Sequence, residues 1–310
     1  MTNPQAKSRP LVSIIIRTKN EERWIVSCLR AVFKQNYENF EVVIVDNNSD
    51  DQTLRRIEDF EVKIIYIKDF LPGKAINAGI KESNGEFLVC LSGHCIPTNS
   101  NWLSTLVKDL ADTNIAGVYG RQEPLSFSND LDKRDLLTVF GLDKKVQIKD
   151  YFFHNANSAF RREVWNSFPF DEHVTNIEDR VWGQKVISEG MKIIYEPLAS
   201  VYHWHGINHQ LNPDRARKIV RILESLDESI NTSNKLQVEN MDVVAIVPLR
   251  GLSSVVNGRK LLEYTLTSLN HSKLISRVVV STDNEETAEL AKSLGALAPF
   301  LRPLDLSEKY

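Results

Sequence analysis

Histidines occupy two positions at which an α/β enzyme presents reactive groups. His94 follows the apolar run 86–91, and His203 and His205 end another apolar run. Strand alternation would put His203 and His205 on one face. Neutral imidazole is a good ligand for Mn²⁺ and softer metals and a poor one for Mg²⁺. His94 and His205 are therefore candidate metal ligands. The alternative is that His94 donates a hydrogen bond to phosphate and no metal is needed.

A second group of polar residues follows the first two predicted strands. Residues 17–21 come directly after one strand, and residues 46–50 come after the next. An aspartate that ends an apolar strand, as Asp46 does, can accept hydrogen bonds from a nucleobase or a ribose hydroxyl. A simpler interpretation as helix N-caps is open for Asn20, Ser49 and Asp50. It fits Asp46 less well, because Asp46 precedes the cap and ends a wholly apolar strand.

The elements that must position these residues are short apolar runs that alternate with amphipathic segments. Enrichment in β-branched residues predicts strands at 11–17, 41–46, 62–67, 86–91 and 115–120. The segments between them predict helices at 21–34, 51–58, 74–82 and 101–110. This alternation predicts an α/β fold with a mostly parallel sheet covered by helices on both faces. Ligands bind beyond the carboxyl ends of such strands, so the polar strand ends should share one crevice.

The composition favours a globular protein without a nucleic-acid surface. The chain has 310 residues, of which 42% are hydrophobic, and a net charge of -3, which permits a sizeable core and argues against a broad basic surface. The three cysteines lack CxxC spacing, so neither a disulfide scaffold nor a zinc knuckle is indicated. The polar start MTNPQAKSRP and the strand-length apolar runs predict a soluble, cytoplasmic protein.

Several segments resemble, in the same order, one protein family. VSIIIRTKNE, VVIVDNNSDDQT, GKAINAGI and the strand entering SGHCIP are similar to the nucleotide-binding half of family 2 glycosyltransferases of the GT-A fold. NIEDRVWGQKVISEGMKIIYEP is similar to the acceptor half of that family. The resemblance covers residues 10–210 and implies an inverting transfer of a sugar from a nucleotide-sugar donor.

The resemblance also implies which residues bind the donor. Thr18 to Glu21 and Asp46 would contact the nucleoside, and Lys74 and Asn77 would lie near the base and ribose. Gly120-Arg121-Gln122 resembles a segment of rhamnosyl-transferring members, in which the arginine would face the donor. The complete predicted donor-binding set is Thr18, Asn20, Glu21, Asp46, Asn48, Lys74, Asn77, Ser92, Gly93, His94 and Arg121.

The catalytic residues that the resemblance implies are Asp179 and Glu178. Asp179 would be the base, since inverting transfer needs a carboxylate within hydrogen-bond reach of the attacking hydroxyl. One alternative is a capping box from Thr175 to Glu178, which would leave Asp179 free to act. Another is a helix-dipole role for Asp179. The residues predicted to line the donor-sugar or acceptor pocket are His154, Asn155, Asn157 and Trp182, with core packing as the alternative for the tryptophan.

The chain departs from the family at the end of the fourth predicted strand. The family places Asp-x-Asp there to hold Mg²⁺ or Mn²⁺ on the donor diphosphate, and this chain has Ser92-Gly93-His94. His94 stands in place of the metal-holding carboxylate. Two cofactor hypotheses stay open. One is a divalent cation held by His94 and His205. The other is metal-independent use of a CMP-sugar, whose leaving group is a monophosphate.

The segment 242–303 resembles the N-terminal part of CMP-sialic acid synthetase, an acylneuraminate cytidylyltransferase. Its nucleotide loop departs from that family, because Leu252-Ser253-Ser254 stands where Gly-Ser-Lys is expected. We therefore predict a truncated, degenerate α/β module without cytidylyltransferase activity. The predicted domains are a GT-A domain at 1–226, a polar linker at 227–240 and this module at 241–310.

The combined prediction is an inverting glycosyltransferase that uses a glycan or lipid-linked acceptor in bacterial surface polysaccharide synthesis. The alternatives are a cytidylyltransferase-related CMP-sugar enzyme and a degenerate, non-catalytic nucleotide-sugar-binding module. A basic amphipathic helix predicted at 214–226 would allow peripheral association with the inner face of the membrane. The alternative is that its charged face is simply exposed to solvent.

Overall fold

The computed structural model describes residues 9–205, 214, 217–223, 242–303 and 306. The chain divides into two compact units, Met1–Asp227 and Glu228–Tyr310. The predicted linker at 227–240 and part of the predicted helix at 214–226 lie outside the described residues. Each unit is described by itself below.

The first half of the first unit alternates parallel strands with helices. Its elements are β1 Val12–Thr18, α1 Ile25–Val32, β2 Phe40–Asp46, β3 Lys63–Tyr66, α2 Pro72–Lys81 and β4 Phe87–Ser92. The second half comprises β5 Cys95–Pro97, α3 Trp102–Val107, β6 Ile115–Pro124, α4 Asp130–Val139, β7 Lys145–Gln147, β8 Asn157–Arg161, α5 Arg162–Ser167, α6 Glu178–Ser188 and β9 Lys192–His203.

These strands form a nine-stranded sheet in the order β3-β2-β1-β4-β8-β6-β9-β5, with β7 paired to β9. Strands β3, β2, β1 and β4 are parallel. Strand β8 then lies antiparallel between β4 and β6. The predicted α/β class is confirmed, but the sheet is mixed from β8 onward. The predicted parallel arrangement therefore holds for the first four strands. The fifth predicted strand, at 115–120, is β6, and the antiparallel β8 separates it from β4.

Two apolar cores cover the two faces of the sheet. Successive residues of β1 alternate between them, with Ile14 and Ile16 in one core and Ile15 in the other. Helices α1 and α3 pack in the first core, and α2 and α6 pack in the second. Burial on both faces explains why the parallel strands have continuous apolar sequences.

Two predicted helices differ from the structure, one at its start and the other in type. The helix predicted at 21–34 begins at Ile25, because the backbone N–H groups of Glu21 and Glu22 donate to side chains of Thr53 and Asp51. The segment predicted as a helix at 51–58 contains only a 3₁₀ turn, Arg55–Ile57. These two loops are therefore bonded to each other across the crevice end of the sheet.

The second unit is a small α/β arrangement. Its elements are β10 Val243–Leu249, β11 Val255–Val256, β12 Arg259–Lys260, α7 Leu261–Asn270, β13 Ile275–Thr282 and α8 Glu285–Ser293. Strands β10 and β13 are parallel neighbours. Leu262, Leu266 and Val280 belong to its compact core, which confirms the predicted small α/β fragment.

Candidate functional site

Three histidines converge beyond the ends of β4 and β9. The ring centroids of His94 and His203 are 5.0 Å apart, and those of His94 and His205 are 4.7 Å apart. The Nε2 atoms of His94 and His203 are separated by 3.1 Å. The antiparallel pairing of β5 with β9 brings His203 opposite Cys95, the residue that follows His94. Residues that lie far apart in the sequence thus form one cluster.

Glu21 fixes the orientation of His94. The Nδ1 atom of His94 lies 2.6 Å from Oε1 of Glu21, so Nδ1–H donates to the carboxylate and leaves the lone pair of a neutral ring on Nε2. A carboxylate behind a histidine is the usual arrangement in metal sites, where it sets the tautomer and strengthens the ligand. Glu21 was predicted to contact the nucleoside, and the structure places it behind His94.

The cluster fits a divalent cation. Two nitrogen ligands at about 2.1 Å from one ion and at right angles to each other lie about 3 Å apart, close to the 3.1 Å between the two Nε2 atoms. His94, Cys95 and His203 all offer ligand atoms within 4.8 Å of one another. Burial raises the pKa of the Cys95 thiol well above its ordinary value, which disfavours the thiolate that would bind a metal. The histidines are the better ligands.

Gly93 allows Glu21 to reach His94. A Cβ atom at position 93 would lie 3.1 Å from the side chains of both Glu21 and Thr18. Such a contact is tighter than normal van der Waals packing, so a side chain here would require the Glu21 and Thr18 side chains to shift by a few tenths of an ångström. Gly93 was predicted to belong to the donor-binding set, and the structure shows it in close approach to the protein's own β1 loop.

The loops after β1 and β2 are bonded to each other. Asp46 accepts hydrogen bonds from the side chain of Thr18 at 3.0 Å and from both the N–H and the hydroxyl of Ser49. Asp46 has no exposed surface, so it does not line the crevice directly. Its hydrogen bonds instead hold together the two loops that do. Asn20 and Asn48 have positive φ angles of 56° and 50°. Asparagine tolerates this left-handed region better than most residues, and it produces the two tight turns.

The acidic pair lies at the amino end of α6. Oε1 of Glu178 accepts from Arg17 and from the side chain of Asn155, both at 3.3 Å. Asp179 accepts the backbone N–H of Asn155 at 3.1 Å and that of Arg180 at 2.8 Å. Burial raises the pKa of both carboxyl groups, and Asp179 raises that of Glu178 further. The pair is therefore desolvated and held beside the ends of β1 and β8.

A strained residue precedes this pair. Ile177 has a φ of 56° and is the N-cap of α6, without a side-chain cap. A β-branched residue in the left-handed region is an outlier, and such strain is concentrated at functional sites. The alternative capping box from Thr175 to Glu178 is wrong, because the helix begins at Glu178 and its N-cap is Ile177. The side chain of Glu178 bonds to Arg17 and Asn155 instead of capping the helix.

The structure gives Asn77 an internal partner set. Its amide donates to the carbonyl of Phe170 and to Glu172 and accepts from Trp165 and from the N–H of Phe170. All four hydrogen-bonding positions of the amide are used. Asn77 therefore ties α2 to the segment that leads to α6, and its predicted place beside the base and ribose stays a prediction. On the same helix, the Nζ atom of Lys74 lies 3.9 Å from Oδ2 of Asp69.

Two predicted pocket residues are also internal. Asn157 is fully buried, donates to the carbonyls of Arg121 and Ala199 and accepts from Trp102. The indole of Trp182 packs in the apolar core and donates to the carbonyl of Phe168. The structure thus supports the core alternative for Trp182 and gives Asn157 the role of joining three strands.

The other two predicted pocket residues lie beside the acidic pair. Asn155 contacts both acids, as described above. His154 is held by Gln122 at 2.9 Å, and burial lowers its pKa to about 4, so its ring is neutral at physiological pH. Arg121 lies 3.6 Å from Glu123. Ser92 donates its backbone N–H to Ala156, which joins the end of β4 to the segment that carries these residues.

Arg17 was predicted to lie in the crevice but was given no binding or catalytic role. It bonds to Glu178 and, through its carbonyl, accepts the N–H of Gly93. It therefore connects the acidic pair to the strand end that carries His94. Its position at the carboxyl end of β1, where a charged residue interrupts an apolar strand, was the available indication.

Comparison with known proteins identifies the family. The glycosyl transferase family 2 model matches residues 13–168, and the chain belongs to this family. The predicted family, fold and enzyme class are confirmed. A cytidylyltransferase model matches residues 252–307, which confirms the resemblance of the second unit.

Curated relatives are glycosyltransferases. The chain is 29% identical over 212 residues to the O-antigen chain rhamnosyltransferase WbaN of Salmonella anatum, covering 64% of this chain and 67% of that protein. It is 36% identical over 249 residues to the poly(ribitol-phosphate) β-N-acetylglucosaminyltransferase TarS of Staphylococcus aureus, covering 73% of this chain and 42% of TarS. The chain thus spans between two fifths and two thirds of these relatives.

Solved structures share the fold. The mannosyltransferase PcManGT of Pyrobaculum calidifontis, in complex with GDP-Man and Mn²⁺, matches with a TM-score of 0.57 at 20% identity, covering 74% of this chain and 67% of that one. TarS 1-349 of S. aureus in complex with UDP-GlcNAc matches with a TM-score of 0.53 at 19% identity, covering 72% of this chain and 68% of that one.

Among the helices that the structure describes, none has both the length and the hydrophobicity needed to cross a bilayer.

Proposed function

We propose that this chain is an inverting glycosyltransferase in which Asp179 removes the proton of the acceptor hydroxyl. The observation that carries the proposal is the buried acidic pair at the amino end of α6, held beside the end of β1 and the start of β8. A nucleotide-sugar is the donor, and a glycan or lipid-linked sugar of a bacterial surface polysaccharide is the acceptor. The rhamnosyltransferase and TarS relatives support this class of product.

The two acids have different partners, which favours Asp179 over Glu178 as the base. Glu178 is held in an ion pair with Arg17, which offsets part of the rise in its pKa that burial and Asp179 cause and ties its carboxylate to β1. Asp179 accepts only two backbone N–H groups among the described hydrogen bonds, and burial raises its pKa. A raised pKa makes a carboxylate a stronger proton acceptor once it is ionised. Glu178, held by Arg17, is then a positioning residue that fixes the start of α6 next to Asp179.

His94, His203 and His205 are proposed to hold a divalent cation, with Glu21 orienting His94. A cation bound there supplies positive charge to the leaving phosphate of the donor. Nitrogen ligands favour Mn²⁺ over Mg²⁺. The loops of Thr18 and Asn48 lie beside this cluster and would enclose the nucleoside, with Asp46 supporting them from behind. Peripheral contact with a membrane that carries the acceptor is part of the same proposal.

Replacing Asp179→Asn tests the base. Loss of general-base catalysis should lower kcat by about 10² to 10⁴-fold, while calorimetric affinity for the nucleotide stays within about twofold of the parent protein. Glu189→Gln, an exposed acid at the other end of α6, is the matched control and should leave kcat unchanged. Transfer that persists in Asp179→Asn would refute the assignment. The anomeric configuration of the product, determined by NMR, tests inversion.

The metal and the donor nucleotide are tested by one set of titrations. UDP, GDP, dTDP and CMP are each titrated with and without Mn²⁺ into the parent protein and His94→Ala. Binding of one diphosphate that needs Mn²⁺ and disappears in His94→Ala supports the cation site. A preference for CMP that does not depend on metal would support the alternative donor, a CMP-sugar. The exposed His271, replaced by alanine, is the control for loss of a histidine.

A further inference from the structure

An arginine surrounded by three aromatic rings lies next to the histidine cluster. The guanidinium of Arg23 is 4.6 Å from the ring centroid of Trp24, 5.1 Å from that of Trp204 and 5.7 Å from that of Phe127. The rings of Trp24 and Phe127 are stacked with nearly parallel planes, at an interplanar angle of 10° and a centroid distance of 6.2 Å. We call these four residues the arginine cage.

The cage is joined to the proposed catalytic site at two points. The backbone N–H of Trp24 donates to the carbonyl of Glu21, the residue that orients His94. Trp204 lies between His203 and His205 in the chain. Two of the segments that build the cage are therefore the segments that build the histidine cluster.

The donors of Arg23 are not used within the described part of the chain. Its side chain is exposed, and its described contacts are the three rings. Neighbouring acids are engaged elsewhere, since Glu22 accepts the N–H of Gln52 and Asp51 accepts that of Glu22. A guanidinium stacked on aromatic faces keeps its edge N–H groups available and loses little further freedom when it binds.

We propose that Arg23 is a binding site for a phosphate group at the mouth of the donor crevice. A planar fork of N–H donors matches two oxygens of a phosphate. The cage does not suit an external cation, because the protein's own cation already fills it. The phosphate belongs either to the nucleotide donor or to a lipid diphosphate that carries the acceptor sugar. Only this choice of source depends on the proposed function.

Calorimetry on the full chain tests the site with three probes. These are inorganic pyrophosphate, a nucleoside diphosphate and geranyl diphosphate, titrated into the parent protein, Arg23→Gln and Arg23→Lys. A charge-assisted hydrogen bond contributes enough that its loss should weaken pyrophosphate binding about tenfold or more in Arg23→Gln. Arg23→Lys should recover only part of the affinity, because an ammonium group lacks the planar fork.

Two further variants separate recognition from stability. Phe127→Ala removes one wall of the cage at a side chain that is 59% exposed, and should weaken binding by a smaller factor while the fold persists. Arg30→Gln, an exposed arginine of α1, should leave all affinities unchanged. Thermal unfolding of each variant shows whether the protein is folded.

The probes distinguish the two sources. If Arg23→Gln binds the nucleoside diphosphate more weakly than the parent protein does, the phosphate belongs to the donor. If the variant loses affinity for geranyl diphosphate but not for the nucleotide, the phosphate belongs to the lipid-linked acceptor. Affinities for all probes within twofold of the parent protein in folded Arg23→Gln would overturn the proposal. Because binding is measured and not turnover, this outcome is independent of whether Asp179 proves to be the base.

Discussion

Replacing Asn77 by alanine separates two roles for a residue that sequence motifs place at the donor. The substitution removes four hydrogen bonds, to Trp165, Glu172 and both backbone groups of Phe170. At about 1 kcal/mol for each bond, and less for the partly exposed Glu172, the free energy of unfolding should fall by about 3 kcal/mol. For a unit of this size the unfolding midpoint should fall by about 6 to 12 °C.

The expected functional result is a loss of turnover without a loss of donor binding. The segment that Asn77 holds leads to Asp179, and Asp171 in that segment touches α2 so closely that a Cβ atom at Gly73 would lie 2.0 Å from its carbonyl oxygen. The assays are thermal unfolding by circular dichroism and nucleotide titration by calorimetry. Lys81→Ala, one turn further along α2, removes only an exposed ion pair with Glu172 and should change stability by less than about 0.5 kcal/mol. An unchanged midpoint with a tenfold loss of nucleotide affinity would refute this reasoning and restore Asn77 to the donor site.

Three other perturbations have defined outcomes. Glu21→Gln should weaken Mn²⁺ binding about 10- to 100-fold in calorimetry, and unchanged binding would separate this carboxylate from the metal. Burial raises the pKa of Asp179, which means that its ionised form destabilises the folded state at pH 7. Asp179→Asn should therefore raise the urea concentration at the unfolding midpoint at pH 7. A lower midpoint would contradict this explanation. Because burial lowers the pKa of His154 to about 4, the unfolded state binds more protons between pH 6.5 and 4. Stability should fall as the pH drops through that range, and His154→Gln should show a shallower loss, whereas an equal slope would exclude His154 as the cause.

The sequence predicts the parallel half of the sheet well, because strands buried on both faces have continuous apolar sequences. All four parallel strands lie within about two residues of their predicted bounds. The antiparallel insertion of β8 could not be predicted in the same way. Its pairing with β4 and β6 is set by tertiary packing, and a run of five residues carries too little periodicity to show it.

Residue types indicated the candidate site better than they indicated individual roles. His94, the paired acids and the polar strand ends do lie around one end of the sheet, as the position of strand ends predicts. Asn77 and Asn157 have the same polar character but bond to groups inside the protein. A single sequence does not distinguish an amide that binds a ligand from one that satisfies buried backbone groups. The bond between Glu21 and His94 joins residues 73 positions apart, a separation that no local pattern reveals.

The order of the strands has a consequence for how the chain is made. Strand β4 is bordered on one side by β1, which is synthesised earlier, and on the other by β8, which leaves the ribosome only after residues 93–156. Throughout that interval the nascent chain presents an apolar strand with one unpaired edge, a template for pairing with other chains. His94 waits still longer for His203, because β9 begins only at Lys192. The growing polypeptide therefore passes through an aggregation-prone stage before it can assemble its site, and protection by chaperones during synthesis is the expected requirement.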